Sequence, residues 1–378
     1  MIYLDNAATS FPKPKGVLQK ANDFYSEFGG NALRGQHEMA INSSKLIEKT
    51  RKQVSKILGL KDNQNVVFSP SATVALNQVI FGLEINRGSV VYISPFEHNS
   101  VLRPIYYLAK KKELEIRVIP FDKKTFEVDW ESLKEEFSTY PPDYFFITQV
   151  SNVCGFELPV DNIIKFSREF NDEIVTIVDA AQAAGLYAVP ESADFYIFSG
   201  HKTLFGPYGI AGIVFLSEIK LKPYLFGGTG TNSEEIEMPK EGPARFEVGS
   251  QNVWAIAGLS AALEWLEGET PEKVISKAKD FTKMIRDEIE RFKDLKLYGK
   301  KIDSSLLSIN VKGYSPQKVE QILSSQGIIV RSGLHCAPKA HEFLGTVEIG
   351  GTIRVSPSYF NIPEDIECLI TQLKKIQG

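Results

Sequence analysis

The feature that most constrains this chain is a series of short apolar runs with little polar alternation. Val66-Val67-Phe68, Val90-Val91-Tyr92-Ile93, Ile116-Arg117-Val118-Ile119, Tyr144-Phe145-Phe146-Ile147 and Ile174-Val175-Thr176-Ile177-Val178 recur with helical patterns between them. A strand with one wet face alternates apolar and polar residues, so runs that do not alternate are covered on both faces, as in a parallel α/β sheet. Further strands are expected at 195–198 and 212–216, with helices at 46–58, 74–83, 101–112 and 130–137.

Beyond Gly227-Gly228-Thr229-Gly230 the pattern changes. Helices over 254–266 and 271–292 precede a strand (306–311), a helix (316–324), strands (328–331 and 352–355) and a final helix (363–376). This mix predicts a smaller α+β unit of residues 256–378 beside a large unit of residues 1–255. Roughly the first 15 residues are expected to pack against the smaller unit.

Charge and cysteine usage narrow the function. The 43 basic and 47 acidic side chains give a net charge of −4 with no polybasic run, which argues against nucleic acid or an anionic membrane as main partner. The apolar stretch 208–216 is about half the roughly 20 residues a membrane helix needs. Asp5 interrupts the start before an apolar signal core could form. Three cysteines, Cys154, Cys336 and Cys368, make no disulfide framework and suit a reducing compartment, so a soluble cytoplasmic protein is expected. Cys154 beyond a strand end and Cys368 at an apolar position of the last helix read as packing residues.

In open parallel sheets, ligands lie beyond the carboxyl ends of the strands. Asp179 ends the run 174–178 and is followed by Ala180-Ala181-Gln182. Ser199-Gly200-His201-Lys202 follows 195–198, and Thr148-Gln149-Val150-Ser151-Asn152 follows 144–147. At its simplest, an aspartate and a lysine at adjacent strand ends form an ion pair.

Their wider context is more specific. Leu4-Asp5-Asn6-Ala7-Ala8-Thr9, Ser71-Ala72-Thr73, Glu97-His98-Asn99-Ser100, Ser151-Asn152-Val153, the V-D-A-A-Q-x-x-G motif from Val178, S-G-H-K ending at Lys202, Arg245 to Ser250, Arg331 to Cys336 and Thr352 to Ser356 follow one another in order. This series resembles the class V aminotransferase family of fold type I pyridoxal-phosphate (PLP) enzymes, in the branch that contains the cysteine desulfurases.

The resemblance implies a mainly parallel central sheet with a smaller C-terminal α+β domain, and PLP as cofactor. Lys202 would bind the cofactor covalently and move the proton at the substrate Cα. Asp179 would pair with the pyridine nitrogen, favouring its protonated form. Gln182 would donate to the phenolic oxygen and His98 would lie against the ring, although a histidine there also suits a helix cap or a core position. Ser71, Ala72 and Thr73 at a helix start, with Ser199 and His201, would hold the phosphate. Ser250 would reach the phosphate of a neighbouring subunit, implying a homodimer with shared sites.

For the substrate carboxylate, the resemblance points to Arg354, whose planar fork suits bidentate binding, with Asn152 orienting either the same carboxylate or the phenolic oxygen of the cofactor. Arg331 and Arg34 either touch substrate or shape the entrance as salt bridges. Two positions depart from the family pattern: Val74 stands where a glutamate usually follows A-T, and Leu33 replaces the usual histidine of N-x-H-R-G.

The segment Arg331 to Pro338, flanked by Gly333, Gly345, Gly350 and Gly351, decides the reaction. A thiol there, beside His335, is expected to be an activated nucleophile. The short R-S-G-x-H-C loop resembles SufS-type desulfurases. It implies conversion of L-cysteine to alanine, with the sulfur held as a persulfide on Cys336 for an acceptor protein, as in iron-sulfur cluster assembly. Competing readings keep PLP and change the reaction: a selenocysteine lyase, or another class V aminotransferase, lyase or epimerase. A rival of another class is a metal-binding sulfur carrier with His335, Cys336 and His341 as ligands, although the segment lacks paired C-x-x-C spacing.

Overall fold

The computed structural model describes residues 1–32, 35–60, 65–230, 234–299 and 304–377. The strands are β1 (Ile2–Tyr3), β2 (Asn65–Ser69), β3 (Val90–Ile93), β4 (Glu115–Val118), β5 (Tyr144–Thr148), β6 (Val175–Asp179), β7 (Phe195–Ser199), β8 (Ala211–Phe215), β9 (Leu295–Tyr298), β10 (Leu307–Val311), β11 (Ile328–Ile329), β12 (Arg331–Gly333) and β13 (Thr352–Val355). The helices are α1 (Val17–Phe28), α2 (Glu38–Ile57), α3 (Ala72–Gly82), α4 (Asn99–Lys112), α5 (Trp130–Thr139), α6 (Val160–Arg168), α7 (Val253–Glu269), α8 (Pro271–Ile289), α9 (Pro316–Ser325), α10 (Pro338–Leu344) and α11 (Pro363–Gln377).

The seven-stranded sheet has the order β2-β8-β7-β6-β5-β3-β4. Strands β3 to β7 pair in parallel, whereas β8 runs antiparallel to both β7 and β2. The unalternating runs are explained by cover on both faces. Phe145, Ile147, Val178 and Phe198 enter one core with α7, while Phe146, Ile177 and Ile197 enter a second with α3 and α4. Asp179, the turn bearing Lys202, and Asn152 therefore emerge at one edge of this sheet, beyond its strand ends.

The C-terminal part forms a four-stranded antiparallel sheet, β12-β13-β10-β9. Strand β1 pairs in parallel with β11, and Leu4 enters the core of this sheet with Ile309, Ile353 and Leu369. The boundary expected after residue 255 falls in the first turn of α7, a helix that packs on α1 and α2. The C-terminal core takes its first helical residue, Phe281, from α8. Elements α1, α6, α10, β1 and β9 were not foreseen, and the single strand expected at 328–331 is two, β11 and β12, parted at Val330.

Candidate active site

Asp179 closes β6 and is buried, and its Oδ1 accepts from the Ala181 N–H at 2.9 Å. Burial pushes its carboxyl up, against the pull of that amide and of Lys202. Lys202 sits in a turn closed by Gly200 N–H to Ile210 O (3.0 Å) and Gly206 N–H to Gly200 O (2.8 Å). Glycine is required at 200 because a Cβ would lie 2.8 Å from the Ile210 carbonyl oxygen. Burial pushes the Lys202 amine down to about 8; Asp179 opposes this, Arg354 and Arg331 reinforce it, and Cys336 opposes it. These residues, from β6, β12, β13 and two loops, thus share one electrostatic field.

His98 caps α4, its Nδ1 accepting from Ser100 N–H at 3.1 Å. Burial, then Lys202, Arg331 and Arg354, push its ring down to about 4, so it is neutral at pH 7. His201 is held near 3 by burial, Lys202 and Lys13, and its Nδ1 is buried without a partner.

Arg354 on β13 is 1% exposed. Its NH2 meets Asp5 Oδ1 at 2.6 Å and its NH1 donates to Asn152 O at 3.0 Å, while its Nε is buried without a partner. A buried guanidinium needs anionic and hydrogen-bonding partners, and burial here pushes its pKa down. Arg331 stands opposite Arg354 in the β12–β13 register, so two cations share one face of the sheet. Asp5 answers one of them.

The Cys336 loop is held in an uncommon conformation. His335 (φ 48°) and Cys336 (φ 57°) both lie in the left-handed region, which non-glycine residues enter at a cost. Asn152 Nδ2 donates to His335 O at 2.7 Å, and Asn99 N–H donates to Cys336 O at 2.7 Å. The His335 ring sits behind the loop, with Nε2 at 3.1 Å from Thr352 O and 3.2 Å from Thr352 Oγ1. Cys336 itself is exposed.

Residues 2–369 match the family model of the class V aminotransferases. The chain belongs to the class V aminotransferase family. Among its relatives, a probable cysteine desulfurase of Pyrococcus abyssi is 30% identical over 389 residues, covering 100% of this chain and 94% of the relative. A cysteine desulfurase of Salmonella dublin is 30% identical over 388 residues, covering 100% and 93%. In structure, the apo cysteine desulfurase of Thermococcus onnurineus superposes with a TM-score of 0.90 at 30% identity, covering 99% of this chain and 94% of that one. The cysteine desulfurase CsdA of Escherichia coli gives 0.85 at 28%, with the same coverage.

In this class V chain the ring of His335, expected beside the thiol as its activator, is buried with Nε2 against Thr352, and burial, then Arg354, His341 and Arg331, push it down to about 2. It is a neutral anchor of the loop. Adjacency in sequence said nothing about direction, and the hydrogen-bonding partner lies 17 residues away on β13. Gln182 lines a cavity with Lys202, Asn6, Ala7 and Ser356, and its amide donates to Ala7 O at 2.8 Å. Ser71 caps α3, accepting from Val74 N–H at 3.2 Å, so Ala72 and Thr73 form its first turn. Ser199 ends β7, next to the Lys202 turn.

Ser250 is exposed, accepts from Asn31 Nδ2 at 3.1 Å and is not among the residues lining the Lys202 cavity. Leu33 and Arg34 lie outside the described residues. Cys154 is buried, and Cys368 is half-buried against the C-terminal core. Among the described residues no three His, Cys, Asp or Glu side chains converge on a metal site, and no helix is long and apolar enough to cross a membrane. Sequence reasoning missed Asp5, Asn99 and Thr352 as supports of the site. The D-N-A-A and E-H-N-S motifs contain the first two, but nothing in sequence shows their contacts.

Proposed function

We propose that this protein is a PLP-dependent cysteine desulfurase that moves the sulfur of L-cysteine onto Cys336 Sγ and releases alanine. The observation that carries the reading is Cys336 itself: an exposed thiol on a backbone pinned from Asn99 and Asn152, in the field of Lys202.

The residues present suit PLP. A buried carboxyl raised by burial calls for a cation, and a pyridinium nitrogen against Asp179 supplies one. The depressed Lys202 amine is partly neutral near pH 7 and so able to bond an aldehyde. The first turn of α3, capped by Ser71, would offer the Ala72 and Thr73 N–H groups to a phosphate, and Ser199 with the unpartnered His201 Nδ1 would complete that cradle. When bound, the cofactor ring withdraws the electron pair left at the substrate Cα.

The chain's own groups do the rest. Lys202 Nζ takes and returns the Cα proton. Neutral His98 would lie against the ring face, and the Gln182 amide, which already donates one N–H to Ala7 O, would donate the other to the phenolic oxygen. Arg354 Nε, with Arg331 opposite and Asn152 beside it, receives the substrate carboxylate. The substrate C–S bond breaks as an S–S bond forms to Cys336 Sγ, and the thiol proton ends on alanine. The persulfide stands exposed, where an acceptor protein can take it. In the same reading the protein is a homodimer in which Ser250 serves the phosphate site of the second copy, and Cys336 and Arg354 belong to the smaller unit of residues 256–378.

The test is product analysis of the PLP-loaded protein with L-cysteine and a reductant. Equal sulfide and alanine, lost in Cys336→Ala, are expected. Pyruvate and ammonia, unaffected by that substitution, would identify a lyase instead.

A further inference from the structure

The carbonyl oxygen of His201, one peptide bond before Lys202, is unusually crowded with donors. Ser10 N–H reaches it at 3.1 Å, Thr9 Oγ1 at 3.0 Å, Ser10 Oγ at 3.2 Å and Lys13 Nζ at 2.9 Å. Lys13 Nζ also lies 2.8 Å from Ser10 Oγ and 3.5 Å from Thr9 Oγ1. A carbonyl oxygen has two lone pairs, so four donors over-determine the position of this peptide. Lys13 is unusual in its own right. Burial pushes its amine down to about 7, and no carboxylate counters that shift. Burying a lysine without an acidic partner is costly, and a fold keeps such a group where its hydrogen bonds matter.

We infer that Lys13, with Thr9 and Ser10, is a positioning clamp for Lys202: it fixes the His201–Lys202 peptide and thereby aims Nζ. The inference rests on the reading of Lys202 as the group that binds the cofactor and moves the Cα proton. The turn at 200–206 has its own closure, through Gly200 N–H to Ile210 O, Gly206 N–H to Gly200 O and a long Lys202 N–H to Ser199 O bond of 3.4 Å, all within residues 199–210. The clamp adds donors to the His201 carbonyl from a segment remote in sequence.

The origin of the clamp gives it a second consequence. Residues just upstream are tied to the C-terminal sheet: Asp5 to Arg354 at 2.6 Å, Asn6 Nδ2 to Ser356 O at 2.9 Å, and Ala7 N–H to Ser356 Oγ at 2.9 Å. One short strap, residues 5–13, therefore connects the arginine proposed to bind the substrate carboxylate with the peptide that carries Lys202. Both ends of the proposed chemistry are referred to the same piece of backbone, which has no reacting group of its own.

The clamp is tested with Lys13→Met, Lys13→Arg and wild type, each with and without PLP. In the cofactor-free protein, amide hydrogen exchange of the 199–206 segment should speed up at least about tenfold in Lys13→Met while β10 stays protected. In the loaded protein, kcat for alanine formation should fall about tenfold with KM for L-cysteine unchanged, because Arg354 is untouched. Lys13→Arg should restore both. If Lys13→Met does not fold, Thr9→Val removes one donor and is read the same way. A folded Met or Val variant with wild-type exchange and wild-type kcat overturns the clamp, as does an arginine variant that folds but rescues neither readout. If loaded wild type makes no alanine from L-cysteine, the desulfurase reading fails, while the exchange comparison still decides the clamp.

Discussion

Arg354 carries the most exacting charge geometry in the site. Its NH2 is committed to Asp5, its NH1 to the Asn152 carbonyl, and its Nε is the buried donor left over. Arg354→Lys keeps the charge but replaces the planar fork with one ammonium, which cannot hold Asp5, that carbonyl and a substrate carboxylate together. A hydrogen bond to a charged partner contributes about 1.5–3 kcal/mol. Since about 1.4 kcal/mol corresponds to a factor of ten, kcat/KM for L-cysteine should fall about 10- to 150-fold. The loss should appear mainly in KM, because the carboxylate is gripped throughout the reaction, whereas Lys202 and Cys336 are unaltered. The assay is steady-state alanine formation across a range of L-cysteine, with thermal melting to confirm the fold. A folded lysine variant with wild-type kcat/KM would refute the assignment of Arg354 and the reasoning from its free Nε.

Three further substitutions probe the scaffold. Glu97 is fully buried, with Oε1 accepting from Ser94 Oγ at 2.5 Å and from Thr148 N–H at 2.7 Å; burial pushes its carboxyl up to about 8. A raised carboxyl binds its proton more tightly in the folded state, so its contribution to stability is full below the ordinary 4.5 and is lost as pH rises toward 8. The slope is at most about 1.4 kcal/mol per pH unit, so Glu97→Gln should lose less melting temperature than wild type between pH 6 and 8; identical slopes would contradict the buried protonated form. Gly351 (φ 95°) would place a Cβ 2.1 Å from Gly333 O, beneath the Cys336 loop, whereas Gly345 (φ 66°) has nothing within 4 Å. Gly351→Ala should therefore cost about 3 kcal/mol or more in denaturant unfolding, against about 1 kcal/mol for Gly345→Ala; equal costs would remove the steric argument.

Much of the architecture was legible because it rests on burial. The unalternating runs became β2 to β8 with ends shifted by a residue or two, since strands covered on both faces carry their own signature. Asp179, Lys202 and Asn152 were legible as polar residues directly after such runs. The elements that escaped notice bury little or are short. Helix α1 buries only Val17 and Ala21, and α10 is a single seven-residue piece that begins at Pro338. The direction of His335 was not legible, because it depends on a partner on β13 and on a backbone that two non-glycine residues take through the left-handed region. Nor were the long-range pairs, Asp5 with Arg354 and Lys13 with the His201 carbonyl, since a charge in a loop does not show what it will meet across the fold. The same limit explains why Ser250, exposed on this chain, was placed in the site only by resemblance.

The central claim is that Cys336 accepts the substrate sulfur. The most direct measurement is the mass of the PLP-loaded protein after brief exposure to L-cysteine without reductant, followed by peptide mapping. The account predicts one added sulfur atom on the peptide containing Cys336, removed by reductant and absent from Cys336→Ala, with alanine released in equal amount. Alanine formed with no added sulfur on Cys336, or sulfur found on Cys154 or Cys368 instead, would contradict it.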